Sequence, residues 1–539
     1  MKIFSIGVSG LNSAQAALLA TSNNISNVYT PGYHREIPVL EQQQVGGVGV
    51  GAIQRQFNQF VAAQLNSATS NLKGLNAYHA QVSQIDNLLG SSDTGLAPLF
   101  QNFFSSLQDV VASPADPAAR MGLIGTANAL TAQFRAVDGY LINMQQSING
   151  QIANEIAGVN DTLAQIAKLN NEISLAVARR GEAPNALLNQ RDMMVSKLAE
   201  SIDIRVSYQD GVNYGIAMAD GKPLVTASRH FELSAVMAAE DPTRVRVGYR
   251  GPTGDHTELA ETAFTGGRLG GLLAFRRETL DTVQGNIGLL AASLAHAFNA
   301  LHIGGTDLYG NAGGEFFALG APRVIAHDRN VGSAQFSAAF DGNAILSGAD
   351  YELQVSNAET GEFVVTRRDT GATFAAQLSG GNQLAFDGLV LTLDQPAQLA
   401  DGDSYLLQPT RNITKGFENL IRDPGLIAAG QSAGSGDNRN ALALLDLQNS
   451  KIVSGRATLN QAYAGLVSEV GIRANIAELN LDAQRGFTEQ ISMVQQSESG
   501  VNLDEEAANL IRYQQYYQAN AKIIEVASTL FDTILGASR

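Results

Sequence analysis

Apolar residues recur at every seventh position at both extremities of this 539-residue chain, almost 500 residues apart. The first stripe is Phe4, Leu11, Leu18 and Ile25; the last is Leu503, Leu510, Tyr517, Ile524 and Phe531. A sevenfold repeat keeps one seam of a helix turned toward a partner helix, so both ends read as coiled-coil strands. Amphipathic helices of an ordinary core give the same pattern over a few heptads. Pairing of the two ends with each other accounts for both stripes at once and leaves the middle of the chain as an outward excursion. That layout suits a subunit of a long assembly better than an enzyme.

The length implies several domains, since single cores rarely grow beyond roughly 250 residues. Acidic side chains outnumber basic ones by 51 to 35, which argues against nucleic acid as a partner because that affinity depends on Lys and Arg. Charged residues make up 16% of the chain, against about 25% in an average soluble protein; the shortfall favours extensive uncharged contact surfaces. Absence of cysteine excludes disulfides, thiolate metal sites and a cysteine nucleophile. Met1-Lys2-Ile3-Phe4 does not open a cleaved signal, and no apolar run is read as approaching the roughly 20 residues of a spanning helix, so membrane insertion is not expected.

The first helix is expected from about Ser5 to Asn23, ending in Asn23-Asn24-Ile25-Ser26-Asn27 and the turn Thr30-Pro31-Gly32. Gly46 to Gly51 form a tight turn or linker, and a second helix runs from near Phe57 to Ser91-Ser92-Asp93 along Val61, Ala68, Leu75, Val82 and Leu89. Asp116-Pro117 is an N-cap and first-turn pair for a helix reaching about Ala178; a shorter helix covers about 187–202. Val206, Tyr208, Val212, Tyr214 and Ile216 alternate around Asp210-Gly211 as a β-hairpin. Helix returns over 272–301, a second β-rich block covers about 336–407, and 439–497 reads as one helix along Leu445, Ile452, Leu459 and Leu466, before a last helix from Leu503 to Gly536. The fold class expected is multidomain α+β, an α-helical coiled-coil stalk from both chain ends with two β-rich inserted domains. Its divisions are 1–60 with 500–539 (terminal assembly domain), 61–200 with 270–318 and 412–499 (helical bundle), 201–269 (β-rich insert) and 319–411 (outer β-rich insert).

Chemistry-bearing motifs are weak. His296 and His302, six apart on one helix, face opposite sides and cannot share a metal. Asp307-Leu308-Tyr309-Gly310-Asn311 has Tyr309 where a calcium loop needs an oxygen ligand and Ala312 where it needs glycine. The glycines at 46–51 lack the Lys-Ser/Thr of a phosphate loop. Tyr513, Tyr516 and Tyr517 fit helix packing better than base stacking in so acidic a chain. No catalytic residue and no cofactor is indicated.

Ser22-Asn23-Asn24-Ile25-Ser26-Asn27 followed by Thr30-Pro31-Gly32-Tyr33 resembles the N-terminal signature of bacterial flagellar rod, hook and hook-associated proteins. Ser499-Gly500-Val501-Asn502-Leu503-Asp504-Glu505-Glu506, continuing through Tyr517 to Lys522, resembles the C-terminal signature of the same axial group. Gly49-Val50-Gly51 with Arg55, Phe60 and Gln64, the stretch 187–192, and Phe298 to His302 with Asp307-Leu308 and Phe316-Phe317 are most similar to the hook-associated protein 1 family. Asn58, Val61 and His34 depart from its usual Asp, Leu and Ser.

The resemblance implies a structural subunit at the junction of hook and filament, outside the cell. It further implies self-association in a helical ring, contacts with hook protein and with the next hook-associated protein, and passage through the flagellar export apparatus without a cleaved signal, with an export chaperone on the C-terminal helix. The terminal stripes are then assembly-interface residues, and Asn23, Asn24, Asn27, Pro31 and Gly32 a turn signature. A hook subunit, or a secreted carbohydrate-binding adhesin or hydrolase, are the alternatives.

Overall fold

A computed structural model describes residues 2–44, 46–91, 95–209, 213–341, 346–380, 382–395 and 398–537. The helix α1 (Lys2–Ser26) runs antiparallel to α10 (Leu503–Ala537), with Gly7 against Ile524, Gly10 against Asn520 and Asn24 against Glu506. The helix α2 (Gln59–Gly90) pairs in the same sense with α9 (Leu459–Ser499), from Ile491 beside Val61 to Tyr463, whose hydroxyl donates to the Leu89 carbonyl at 2.8 Å. Both ends of the chain therefore build one stem. Ser92 and Asp93, and the hairpin turn at Asp210-Gly211, lie outside the described residues.

Local signals set the helix limits. Asn58 accepts from the Phe60 and Val61 amides at the start of α2. The 64-residue α4 (Pro117–Arg180) opens on Asp116, whose carboxylate accepts from the Ala118 and Ala119 amides, and stops at Gly181, φ 78°. Two expectations need correction. The stretch 439–497 is not one helix: α8 (Arg439–Asp446) ends, Ser454 and Gly455 take φ of 50° and 66°, and α9 restarts on a capping box between Thr458 and Gln461. Leu445 and Ile452 thus do not share a helix with Leu459 and Leu466. The sequence reading also passed over α3 (Ala97–Ala112), which Pro98 opens and whose Phe100, Phe103, Phe104, Leu107 and Val110 are buried at helical spacing.

One continuous apolar core extends from Val82 to Ala477 and joins α3, α4, α5 (Asn185–Ser201), α6 (Gly267–Phe275), α7 (Asp281–Ile303), α8 and the outer part of α9. Phe103, Phe298, Phe316 and Phe317 meet there in edge-to-face and tilted contacts, with ring centroids 4.7–6.5 Å apart. A π-helical turn, Arg276–Leu280, links α6 and α7.

The strands β1 (Glu36–Gln42) and β2 (Val48–Arg55) form a hairpin beside α1. Next come β3 (Ile204–Gln209), β4 (Asn213–Met218), β5 (Pro223–Thr226) and β6 (Arg229–His230) in sequential antiparallel order. A second small sheet holds β7 (Leu233–Met237), β8 (Val245–Arg250) and β9 (His256–Glu258). Asn160 of α4 pairs with β7 as a strand would, accepting from the Leu233 amide at 2.9 Å and donating to its carbonyl at 2.7 Å. The short pair β10 (Phe317–Ala318) and β19 (Glu418–Asn419) marks where the chain leaves and re-enters the body.

The outer insert has its own core. It packs the sheet β11 (Arg323–Ala326), β18 (Ser404–Gln408), β13 (Tyr351–Asn357), β14 (Glu362–Arg367), β15 (Thr373–Gln377) against β12 (Phe336–Phe340), β17 (Leu389–Leu393), β16 (Gln383–Phe386). Tyr351, Leu353 and Val355 point inward in strict alternation, and Asp387-Gly388, at φ 44° and 80°, make the tight turn between β16 and β17.

Ion pairs fasten this outer unit to the body. Arg411 bridges Asp281 at 2.9 Å and Asp350 at 2.7 Å, while Arg244 holds Asp281 at 2.5 Å. Burial alone would raise the Asp281 carboxyl; Arg244 and Arg411 overcome it and hold it below the usual carboxylate range. Burial wins at Asp350, whose pKa is raised despite Arg411.

Candidate functional site: the terminal stem and its polar latch

The seam between α1 and α10 is lined by small residues. Gly7, Gly10, Ala14, Ala17, Thr21 and Asn24 alternate by three and four and are buried. A methyl group at Gly10 would stand 2.1 Å from the Asn520 side-chain oxygen, and one at Gly7 would stand 2.8 Å from Ile524. These glycines let the two backbones approach closely. On α10 the facing positions are Glu506, Leu510, Tyr513, Asn520 and Ile524, of which only Glu506 and Asn520 are buried.

The heptad stripe expected at the start therefore flanks this seam instead of forming it. Phe4 is 49% exposed, and Leu11, Leu18 and Ile25 are half-buried along the edge. At the finish Leu510 and Ile524 face α1 and are half-buried, whereas Leu503, Tyr517 and Phe531 are exposed. The physical reason is backbone proximity: a seam lined by Gly and Ala leaves no room for Phe or Leu between the helices. The signal was legible as Gly7, Gly10, Ala14, Ala17, the tighter three-four repeat lying beside the apolar one.

At the inner end of the stem the turn signature becomes a latch. Asn24 accepts from the Glu36 amide at 2.9 Å and from the Tyr33 hydroxyl at 2.8 Å; it donates to the Glu36 carbonyl at 2.9 Å and to Glu506 at 3.1 Å. All four hydrogen-bonding capacities of this buried amide centre on one turn and one carboxylate. Arg35 closes the circuit, with Nε on Glu506 at 2.8 Å and an end nitrogen on Glu505 at 2.7 Å, while its amide donates to the Ser499 carbonyl at 2.9 Å. Burial opposes the Arg35 charge, but the bonds to Glu506 and Glu505 overcome it and raise its pKa. Burial, followed by the charges of Glu36 and Glu506, pushes the Tyr33 hydroxyl well above its ordinary range, so it remains a donor. The two terminal signatures are thus the two halves of one contact.

The other signature residues act locally. Asn27 donates from its side chain to the Asn23 carbonyl at 2.9 Å and accepts from the Thr30 hydroxyl at 3.1 Å. Pro31 is exposed, and Gly32, φ 76°, brings the backbone against Met193 of α5. A second tie, which the sequence reading did not assign, couples the hairpin to the body. Arg55 pairs with Asp192 at 2.5 Å and donates to Asn189 at 3.1 Å, and its guanidinium lies 4.4 Å from the Phe57 ring centre. His34 binds Asn189 at 3.0 Å; burial lowers its pKa and favours the neutral ring. The stretch 187–192 carries a family motif, but Arg55, the partner of its Asn189 and Asp192, lies over 130 residues away.

The remaining motifs serve structure. His302, fully buried, donates from Nδ1 to the Gly314 carbonyl at 2.7 Å and accepts at Nε2 from the Ala428 amide at 2.9 Å. The Asp307 carboxylate accepts from the Tyr309 and Asn311 amides, each at 2.8 Å, in its own turn. No group of three His, Asp or Glu among the described residues is placed to hold a metal. By length and composition α1 is apolar enough to cross a membrane, with a mean hydropathy of 1.4 over its most apolar window, contrary to the sequence expectation. Its isoleucine, leucine, valine and phenylalanine residues raise that average, while the buried face it turns to α10 includes Gly7, Gly10, Ala14 and Ala17.

Residues 82–317 match the family model described as "Flagellar hook-associated protein FlgK helical domain". Residues 4–34 match "Flagella basal body rod protein", and residues 496–537 match "Flagellar basal body rod FlgEFG protein C-terminal". Across 542 residues, 98% of each chain, the sequence is 40% identical to flagellar hook-associated protein 1 of Escherichia coli strain K12. The chain belongs to the flagellar hook-associated protein 1 family. The Salmonella typhimurium member is 39% identical over 98% of both chains. A solved structure, the flagellar hook junction protein FlgK from Burkholderia pseudomallei, is 29% identical, covers 81% of this chain and 100% of its own, and superposes with a TM-score of 0.74. Members of the hook-associated protein 1 family are structural components of the hook–filament junction in the extracellular flagellum, not enzymes. Membership sets aside the readings of the chain as a hook subunit or a secreted hydrolase.

Proposed function

We propose that this hook–filament junction protein is a ring-forming helical adaptor: copies associate through their stems, one rim accepts hook protein and the other presents a surface to the next hook-associated protein. The observation that carries this reading is the inversion of the stem, in which Gly, Ala, Thr and Asn face inward while Ile3, Phe4, Leu19, Ile511, Leu530, Phe531 and Ile534 face outward, each 49–67% exposed. Such a stem removes little apolar surface from water on pairing and gains most of its stability from neighbours. It is therefore fully ordered only amid other copies and axial proteins, and the chain crosses the flagellar export apparatus with its ends unpaired and a chaperone on α10. The terminal domain 1–60 with 500–539 assembles, the helical part carries load, and the β-rich inserts 201–269 and 319–411 face outward.

Replacing Phe4 and Phe531 by Asp tests this. The doubly substituted protein keeps the thermal transition of its helical body but is missing from the junction by immunogold labelling, and cells lose motility. Normal swimming with labelled junctions would count decisively against assembly through the stem.

A further inference from the structure

Where stem meets body, a cleft of about 520 Å³ opens between the turn after α1, the first turns of α2, the α5 helix and the end of α9. Ala62, Leu65, Met193 and Tyr208 give it an apolar lining, and Asp192, its one carboxylate, is already held by Arg55 and Tyr214. Ser492, Gln495, Gln496 and Ser499 turn the α9 side of the cleft.

The opposite face of α9 carries an unpartnered apolar stripe. Ile472, Ile476, Leu479, Phe487, Met493 and Val494 are 43–62% exposed. At 3.6 residues per turn this stripe lies about half a turn from the positions that face the cleft, and it extends about 33 Å. Both surfaces reach the same level along the stem, because Ser492 lines the cleft and Met493, the next residue, belongs to the stripe.

We infer that the occupant of this cleft is the α9 stripe of a second copy of the chain, led by Met493 and Phe487. Cleft and stripe look in opposite directions at one height, so each copy can give and receive at once. That is a heterologous contact, which propagates from subunit to subunit and closes only as a ring or continues as a helix. Both surfaces are nearly free of charge in a chain with a formal net charge of −16, so they join without bringing like charges together. The inference rests on the self-association proposed above and specifies its face.

The chain has no cysteine, which makes thiol cross-linking clean. Flagella are isolated from cells expressing the full chain with Ser196→Cys, at the cleft, together with Met493→Cys, and treated with a short bismaleimide. The expected product is a ladder of covalent dimers, trimers and higher species. Either single substitution alone gives monomer, as does Ser196→Cys combined with Val331→Cys, which places the second thiol on the outer unit. Co-expression of the two single variants gives dimers and no higher ladder. Monomer alone from the double variant, in junctions that immunogold shows to contain it, overturns this face while leaving self-association standing. Dimers without higher species from the double variant overturn the heterologous direction. Absence of the unsubstituted protein from junctions would instead remove the underlying reading.

Discussion

In the helical body Phe100, Phe103, Phe134 and Phe298 are fully enclosed, whereas in the stem Phe4 and Phe531 are 49% and 58% exposed. The body satisfies its aromatic residues within one chain. The stem encloses glycine, alanine and polar side chains and leaves its large apolar groups outside. Burial of a large side chain stabilises by roughly 1.5–3 kcal/mol, so body and stem draw their stability from different sources. The body encloses its large apolar groups by itself; the stem, on the function proposed above, is half of an interface.

Matched truncations give the sharpest test. Phe298→Ala should cost the chain about 3–5 kcal/mol through lost transfer energy and a cavity, read as a lower urea midpoint of the body transition. Phe531→Ala should move that midpoint by less than about 0.5 kcal/mol yet reduce recovery of the protein in flagellar junctions. Equal shifts in the midpoint would abolish the distinction between the two regions.

A smaller effect separates the latch from the helices it joins. The Glu506 side chain is 2% exposed and that of Glu505 57%, although both bind Arg35. Glu506→Gln removes the carboxylate shared by Arg35 and Asn24 and should weaken the stem by about 1–3 kcal/mol, seen as faster amide hydrogen exchange in α1 and α10 with the body unchanged. Glu505→Gln should change exchange little, because exposed pairs contribute about 0–1 kcal/mol. Indistinguishable exchange in the two variants would show that Glu506 is no hub.

The contrast also explains what the sequence disclosed. Helices with strong local punctuation were legible, such as α4 between Asp116-Pro117 and Gly181, and so was the alternation of Tyr351, Leu353 and Val355. Joining of the termini was legible from two stripes of the same period. The face they use does not follow from the apolar stripes, because such a stripe marks what a helix must hide and does not say from which neighbour; the small-residue repeat beside it carries that signal. Leu11 and Phe4 satisfied the heptad test, while Gly7, Gly10 and Ala14 made the contact. The break after α8 was overlooked because apolar spacing continued across it, although Ser454-Gly455 and the Thr458-Gln461 pair announced it. The latch escaped for another reason: Asn24 and Glu506 are 482 positions apart, and no local rule links them.

The body should respond to mild acid through a residue with no counterpart in the α1–α10 seam. His302 has two fixed partners, the Gly314 carbonyl, which can only accept, and the Ala428 amide, which can only donate. This holds the ring neutral with its proton on Nδ1, and burial depresses its pKa below the ordinary 6.5. The unfolded chain then binds the extra proton first, so stability rises with pH across this window. The contribution is fully present above about 6.5 and is lost as pH falls through the depressed folded value. Protonation at Nε2 also strands the Ala428 amide, a cost of about 1–3 kcal/mol. His296 and His34, both lowered chiefly by burial, act with the same sign; Asp350, raised by burial, acts with the opposite one. Comparing His302→Gln with the parent chain cancels those shared terms. Urea midpoints at pH 7.5 and 5.5 should show a smaller acid-induced decline in the variant, and identical declines would mean that His302 does not titrate in this range.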